Sequence, residues 1–424
     1  MYNLFKLDNG LRVIVEKIDY VKSVSVGLWV ENGSRNENLL NNGISHFIEH
    51  MLFKGTENRT AKQIAEEIED VGGQINAFTG KEATCFYTKT LDSHLELSLD
   101  VISDMLFNSK FEDKDIEKEK SVIIEEINMN EDSPEDVLSD IHSISVWGKD
   151  PISYPILGTA DTIRSFNKDI LKEYIEEYYI PENSVLSICG NVDMAIIEKL
   201  VKKYFGTWKS TNKKVAEYSS PDILNQHFYK QKPIEQLHIN LGVRGVPLGN
   251  DDVYTLLLLN SVFGGSVSSI LFQKVREELG LCYSVYSYLS SYNNTGILNI
   301  YTGVNPNQGA ETIKVINEEL NKFVINGISK ERLFKSKEQI KANYILGLES
   351  MSSRMFSNGK SVLFLNRVNK PEDVMMKIDK ISQDSINHIF SSCFKEGILN
   401  SAFVGNIDLN SLSMKTGMDI KELI

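Results

Sequence analysis

The chain has 424 residues, of which 42% are hydrophobic and 24% charged, a globular composition that excludes wholesale disorder and a length that suggests two or three domains, enough for at least two separate cores. Lysine and arginine total 45 against 58 aspartates and glutamates, a net charge of −13, which argues against a phosphate backbone and so against nucleic acid as a partner. In chain order, Asp8-Asn9-Gly10 sits between two short apolar runs and predicts a hairpin, followed by a strand over 23–30. A helix is expected over 45–53 and another over 60–71, with Thr60 as N-cap and Gly72-Gly73 as its stop. Strands are expected over 74–78 and 84–90, then long helices to about 130, then a buried strand over 184–190. Helices interleaved with hairpins predict an α+β fold.

From 208 to 221 the chain becomes polar and turn-prone, which places an inter-domain linker at 213–222 between domains 1–212 and 223–424. The second half repeats the order of the first. A strand over 237–243 precedes a helix ending in Phe263-Gly264-Gly265, as the earlier strand precedes a helix ending in Phe53-Lys54-Gly55. A helix ending at Gly280 and a strand opening at Tyr283 fill the next two places. Cys85, Cys189, Cys282 and Cys393 are far apart with no CxxC pair, which fits free thiols in a reducing compartment. Residues 1–10 lack the apolar core of a signal peptide, and no apolar run is long enough to span a bilayer. A soluble, cytoplasmic protein without a membrane partner is expected.

The chemistry is concentrated in His46-Phe-Ile-Glu-His50. On a helix, positions i and i+4 share a face, so both imidazoles can reach one ion, while Glu49 lies near enough to touch a water on that ion. This is an inverted HExxH signature. In isolation, two surface histidines beside a solvated glutamate read the same way. A third ligand is available on the helix expected over 115–127, where Ile116, Val122, Ile123 and Ile127 define the apolar side and Glu119 and Glu126 fall at its edge. Buried carboxylates there need a cation or partners, which favours Glu126 as ligand and Glu119 as the residue that orients a ligand.

These motifs, together with Gly72-Gly-Gln-Ile-Asn-Ala-Phe-Thr79 and Arg276-Glu-Glu-Leu-Gly-Leu-Cys-Tyr283, resemble the insulysin, pitrilysin and mitochondrial processing peptidase family. The interval from His50 to Glu126 matches that family's spacing, and the length resembles its short, two-domain bacterial branch. The resemblance implies two homologous domains facing each other as half of a chamber, closed by pairing into a homodimer. It implies a zinc metalloendopeptidase of short or unfolded peptides, with one Zn²⁺ per chain on His46, His50 and Glu126 and with Glu49 as general base. Arg276 and Tyr283 would support substrate and transition state from the second domain, and Asn76, Ala77 and Phe78 would receive substrate as an added strand. In isolation, Arg276 reads as a helix-end charge and Tyr283 as a strand aromatic. Laying Phe53-Lys54-Gly55 over Phe263-Gly264-Gly265 puts Leu256, Leu259 and Asn260 where His46, Glu49 and His50 stand, so the second domain carries no ligands. The rival readings are a non-catalytic scaffold subunit of the processing-peptidase kind and a catalytic subunit that needs a degenerate partner chain.

Overall fold

The computed structural model describes residues 1–211 and 218–423. The hairpin is present: β1 (Tyr2–Lys6) pairs antiparallel with β2 (Arg12–Lys17), and Gly10 turns the chain at φ +102°, where a side chain would be strained. There follow β3 (Ser23–Val30), α1 (Ile44–Leu52), α2 (Ala61–Glu69), β4 (Gln74–Thr79) and β5 (Thr84–Leu91). The Thr60 hydroxyl accepts from the Gln63 amide and the Gln63 side chain accepts from the Thr60 amide, a capping box that starts α2 as expected. The first half is completed by α3 (Leu95–Asn108), α4 (Asp113–Asp132), α5 (Pro134–Trp147), α6 (Ala160–Ser165), α7 (Lys168–Tyr178), β6 (Ser184–Gly190) and α8 (Ile197–Phe205).

Its six strands form one sheet in the order β1-β2-β6-β3-β5-β4, antiparallel except where β2 lies beside β6. Successive side chains of a strand point to opposite faces, and here both faces are covered. Val24, Val26, Leu28 and Val30 of β3 enter the main core with α1, α2 and α3, while Trp29 enters a smaller core on the other face with Val362 and Leu363. β4 is left as an open edge.

The second half repeats this plan with β7 (His227–Gln231), β8 (Leu237–Arg244), α9 (Val253–Phe263), a π-helical turn over Phe272–Glu278, β9 (Cys282–Tyr292) and β10 (Thr295–Val304). Then come α10 (Gly309–Asn326), α11 (Lys330–Gly347), α12 (Met351–Leu365), α13 (Pro371–Asp379), α14 (Gln383–Ile389), β11 (Asn400–Gly405), α15 (Leu409–Thr416) and β12 (Ile420–Glu422). The second sheet, β12-β7-β11-β8-β10-β9, matches the first strand for strand, including the parallel pair β7 and β11. The outer edge differs: β1 runs antiparallel to its neighbour, whereas β12 comes from the end of the chain and runs parallel.

Contacts divide the chain into two compact units of three segments each. The first holds Met1–Ile127, the described residues from Pro155 to 211, and Ile345–Lys370; the second holds Asn128–Tyr154, Tyr218–Tyr344 and the chain from Pro371. These units differ from the continuous domains 1–212 and 223–424 expected from the sequence, because each half lends a helix to the other half's sheet. α5 packs Val137, Leu138 and Ile141 against Ala402 and Val404 in the second unit. α12 seats on β3 and β6 in the first, where a Cβ on Gly359 would lie 2.2 Å from Trp29 Nε1. Polar contacts hold it there. Arg12 Nη1 donates to the Val362 and Leu363 carbonyls at 2.9 and 3.1 Å, and buried Glu16 accepts from Arg354 at 2.5 Å and Asn358 at 2.8 Å. Of the linker expected at 213–222, residues 213–217 lie outside the described residues, and Tyr218 onward belongs to the second unit. No helix among the described residues is long and apolar enough to cross a membrane.

Candidate metal centre

The metal motif lies on α1, whose N-terminus is secured from a distance. Its N-cap, Gly43, sits at φ +94° and offers no side chain. The carboxylate of Glu37 takes that role, accepting from the Gly43 amide at 2.7 Å, the Ser45 amide at 2.9 Å and Asn42 Nδ2 at 2.8 Å. A negative charge at a helix N-terminus is stabilised by the exposed amides and the helix dipole. Burial pushes the Glu37 pKa up, against these hydrogen bonds. Ile44, Phe47, Ile48, Met51 and Leu52 fasten α1 into the core and leave His46 and His50 together on another face.

α4 brings the carboxylates. His46 Nε2 and His50 Nε2 are 3.2 Å apart, and Glu126 Oε2 lies 3.8 Å from the first and 3.5 Å from the second. These three donor atoms lie within 4.8 Å of one another, the arrangement expected of a three-residue metal site. Glu119, 1% exposed at its side chain, accepts from His50 Nδ1 at 2.8 Å and pairs with Lys54 Nζ at 2.7 Å. Burial opposes ionisation of Glu119, but the bonds from His50 and Lys54 outweigh it and hold its pKa below the ordinary value. With the His50 proton directed to Glu119 from Nδ1, Nε2 presents a lone pair toward His46 Nε2 and Glu126. Burial first, and then His50, lowers His46 to about 3, so its imidazole is neutral. Two imidazole nitrogens and a carboxylate converge on one point, and this nitrogen and oxygen donor set suits zinc.

The helical reading of α4 needs one correction. Ile116, Glu119 and Ile123 are its buried residues, whereas Val122, read as part of the apolar side, is 43% exposed. The buried face is thus centred nearer Glu119, which brings that carboxylate to His50. Glu125 takes no part in the cluster.

Glu49 stands beside the histidines. Its Oε2 accepts from Thr79 Oγ1 at 2.5 Å, and burial raises its pKa while Thr79 and His50 pull it back. Asn76, Ala77 and Phe78 lie on the open edge strand β4. Ala77 packs against the main core, Phe78 meets Trp29 and Phe356 edge-on, and Asn76 Oδ1 accepts from the Ala77 amide at 2.8 Å. The first unit therefore gathers His46, Glu49, His50, Glu119 and Glu126 on α1 and α4. Glu37, Lys54 and Thr79 were missed by the sequence reading. Only the absence of a capping side chain at Gly43 pointed to a distant substitute.

Arg276 and Tyr283 meet each other in the second unit. The guanidinium carbon lies 4.7 Å from the Tyr283 ring centre and 4.6 Å from that of Phe272, beside a shallow pocket of ≈ 350 Å³. Tyr283 is 76% exposed at a register shift in which Cys282 pairs with Val304 and Ser284 with Gly303. On α9, Leu256 and Leu259 are fully buried, and Asn260 Oδ1 accepts from Ser287 Oγ at 2.6 Å. The His46, His50 and Glu126 cluster is the one such group found among the described residues.

A family model described as "Insulinase (Peptidase family M16)" matches residues 12–160, and one described as "Peptidase M16 inactive domain" matches residues 165–340. The chain is 42% identical over 396 residues to "Uncharacterized zinc protease YmxG" of Bacillus subtilis, covering 93% of this chain and 96% of that protein. It is 36% identical over 413 residues to an "Uncharacterized zinc protease" of Rickettsia felis, covering 96% and 98%. Among solved structures, a protease from Helicobacter pylori superposes with a TM-score of 0.89 at 22% identity over 96% of this chain and 99% of its own. The structure of a peptidase M16 inactive domain from Pseudomonas fluorescens gives 0.89 at 17% over 96% and 98%. Both share the fold.

Proposed function

The chain belongs to the M16, or insulinase, family of peptidases, and from that premise we propose that it is a zinc-dependent metalloendopeptidase that hydrolyses short or unfolded peptides. The observation that carries this reading is the convergence of His46, His50 and Glu126, with His50 oriented by Glu119 and with Glu49 alongside. These three residues would hold one zinc ion per chain. When bound, zinc supplies Lewis acidity that polarises a peptide carbonyl and brings the pKa of water toward about 7.

The remaining steps fall to side chains and backbone of this chain. A peptide joins the open edge of β4 as an added strand, with main-chain hydrogen bonds supplying affinity. Glu49 takes the proton of the attacking water and returns it to the leaving amine, and burial of its carboxyl brings its pKa nearer to that task. Arg276 and Tyr283 donate to substrate oxygens, Tyr283 to the oxygen that gains charge in the transition state. In this reading the peptide is admitted to an enclosed chamber completed by a second copy of the chain, in the cytoplasm, where the four free cysteines stay reduced. A scaffold subunit has no use for a complete donor set with an unliganded glutamate beside it.

The test is cleavage of a quenched fluorescent peptide library by wild type and Glu49→Gln, with zinc measured in both. Zinc in both and cleavage in wild type alone is the expected result. Zinc without cleavage in either would sink the peptidase reading for the isolated chain and turn the search to a partner subunit.

A further inference from the structure

The edge strand carries a residue that belongs to none of the metal ligands. Thr79 ends β4 on the same side of the strand as Ile75 and Ala77, which pack against the core, and its hydroxyl donates to Glu49 Oε2. Thr79 pairs with Thr84 across the hairpin. The Thr84 hydroxyl donates to the Asn32 carbonyl at 2.9 Å and lies 3.4 Å from Thr79 Oγ1. The hairpin tip is held from behind: the Ser34 amide donates to the Gly80 carbonyl at 3.3 Å and the Arg35 amide to the Lys81 carbonyl at 2.7 Å. Buried Arg35 and Glu82 pair at 2.5 Å, and a Cβ on Gly33 would lie 2.2 Å from the Gly80 oxygen. The Thr79 hydroxyl is therefore delivered by backbone fixed on both sides.

The terminal torsion of a glutamate is broad, so a carboxylate base left alone presents either oxygen in many orientations. Here Oε2 is held, and Oε1 has no hydrogen-bond partner among the described residues. We propose that Thr79 is a positioning residue of the peptidase: it holds Glu49 so that Oε1 faces the water to be deprotonated, and it ties that base to the strand that seats the peptide. This rests on the peptidase reading above. One short element then sets both where the peptide lies and which oxygen takes the proton, and misalignment of such groups lowers turnover more than binding.

Thr79→Val keeps the branched shape and removes only the donor, while Thr79→Ser keeps the donor. Both are measured for kcat, KM, zinc content and thermal midpoint, beside wild type and Glu49→Gln. Loss of a hydrogen bond to a charged group predicts a fall of about ten- to a hundredfold in kcat for Thr79→Val, with KM within about twofold and zinc content unchanged. Thr79→Ser is expected to recover kcat to within about threefold of wild type, since the donor is restored. Wild-type turnover in Thr79→Val, equal loss in the serine variant, or a change confined to KM would overturn the assignment. Should Thr79→Val not fold, Thr79→Ala takes its place. Zinc-loaded wild type without cleavage would instead strike the peptidase reading. Crystal structures then decide the inference: a Glu49 carboxylate that stays in place in Thr79→Val overturns it, and one that reorients there but not in Thr79→Ser supports it.

Discussion

The two units close the same sheet around different helices. After β3 the chain places His46, Glu49 and His50 on α1; after β8 it places Leu256, Leu259 and Asn260 on α9, with both leucines fully buried. The long helices that follow the hairpins differ in the same way. α4 buries Glu119 between Ile116 and Ile123, whereas the buried residue described on α11 is Ser336. The topology holds with the donor set and without it. A metal on that donor set would be an addition to a frame built by apolar burial, unlike small zinc domains whose folding free energy is metal binding. The exchanged helices are also seated differently: α12 by the charged pair of Glu16 and Arg354, α5 by neutral His142 hydrogen-bonded to Asn400 at 3.1 Å.

The largest expected effect separates Glu49 from its counterpart. Glu49→Gln lowers cleavage by about a thousandfold, a typical loss for a general base, with zinc retained. Chelation abolishes cleavage as well, yet circular dichroism of the chelated protein keeps its secondary structure. Cooperative unfolding on chelation would break the claim that the frame stands without metal. Next, Leu259→Glu puts an unpaired carboxylate into the second core and costs about 3 kcal/mol or more by urea denaturation, with no gain of zinc.

A pH experiment sharpens the contrast between the two helix seats. Burial lowers His142 to about 4 although Asn400 and Asn299 hydrogen-bond it, so the folded state resists a proton that the unfolded chain takes up near 6.5. The stability from neutral His142 is therefore full above about 6.5 and is lost as pH falls through about 4, by on the order of 2–3 kcal/mol. Urea midpoints of wild type and His142→Gln at pH 7 and pH 4.5 measure it; equal slopes in both proteins would show that His142 contributes nothing. The smallest effect is Glu119→Gln, which weakens orientation of His50 and lowers zinc affinity about ten- to a hundredfold, read by competition with a zinc-binding dye. Unchanged affinity there would leave Glu119 a partner of Lys54 only.

Much of the first unit was legible residue by residue. β3 and β6 occupy the expected ranges because strands buried on both faces read as unbroken apolar runs, and α2 begins at Thr60 because its cap and Gln63 are local. The histidine pair was legible because helical spacing alone brings i and i+4 together. Glu37 and Thr79 were not, since each reaches α1 from a separate element across a distance that no local pattern encodes. Val122 misled for a related reason: periodicity finds an apolar side, but His50 and Lys54 draw Glu119 inward and turn α4 away from it.

By itself, then, the sequence determined the elements, their duplication, and a donor set confined to the first half, because hydrophobic period, caps and motif spacing act over a few residues. Tertiary structure decided which segments make each unit, since α5 and α12 choose their sheets by packing between residues far apart in the chain. It also decided how the site is held. Glu37 at the start of α1, Glu119 behind His50 and Thr79 on Glu49 act through hydrogen bonds that exist only once the layers are stacked.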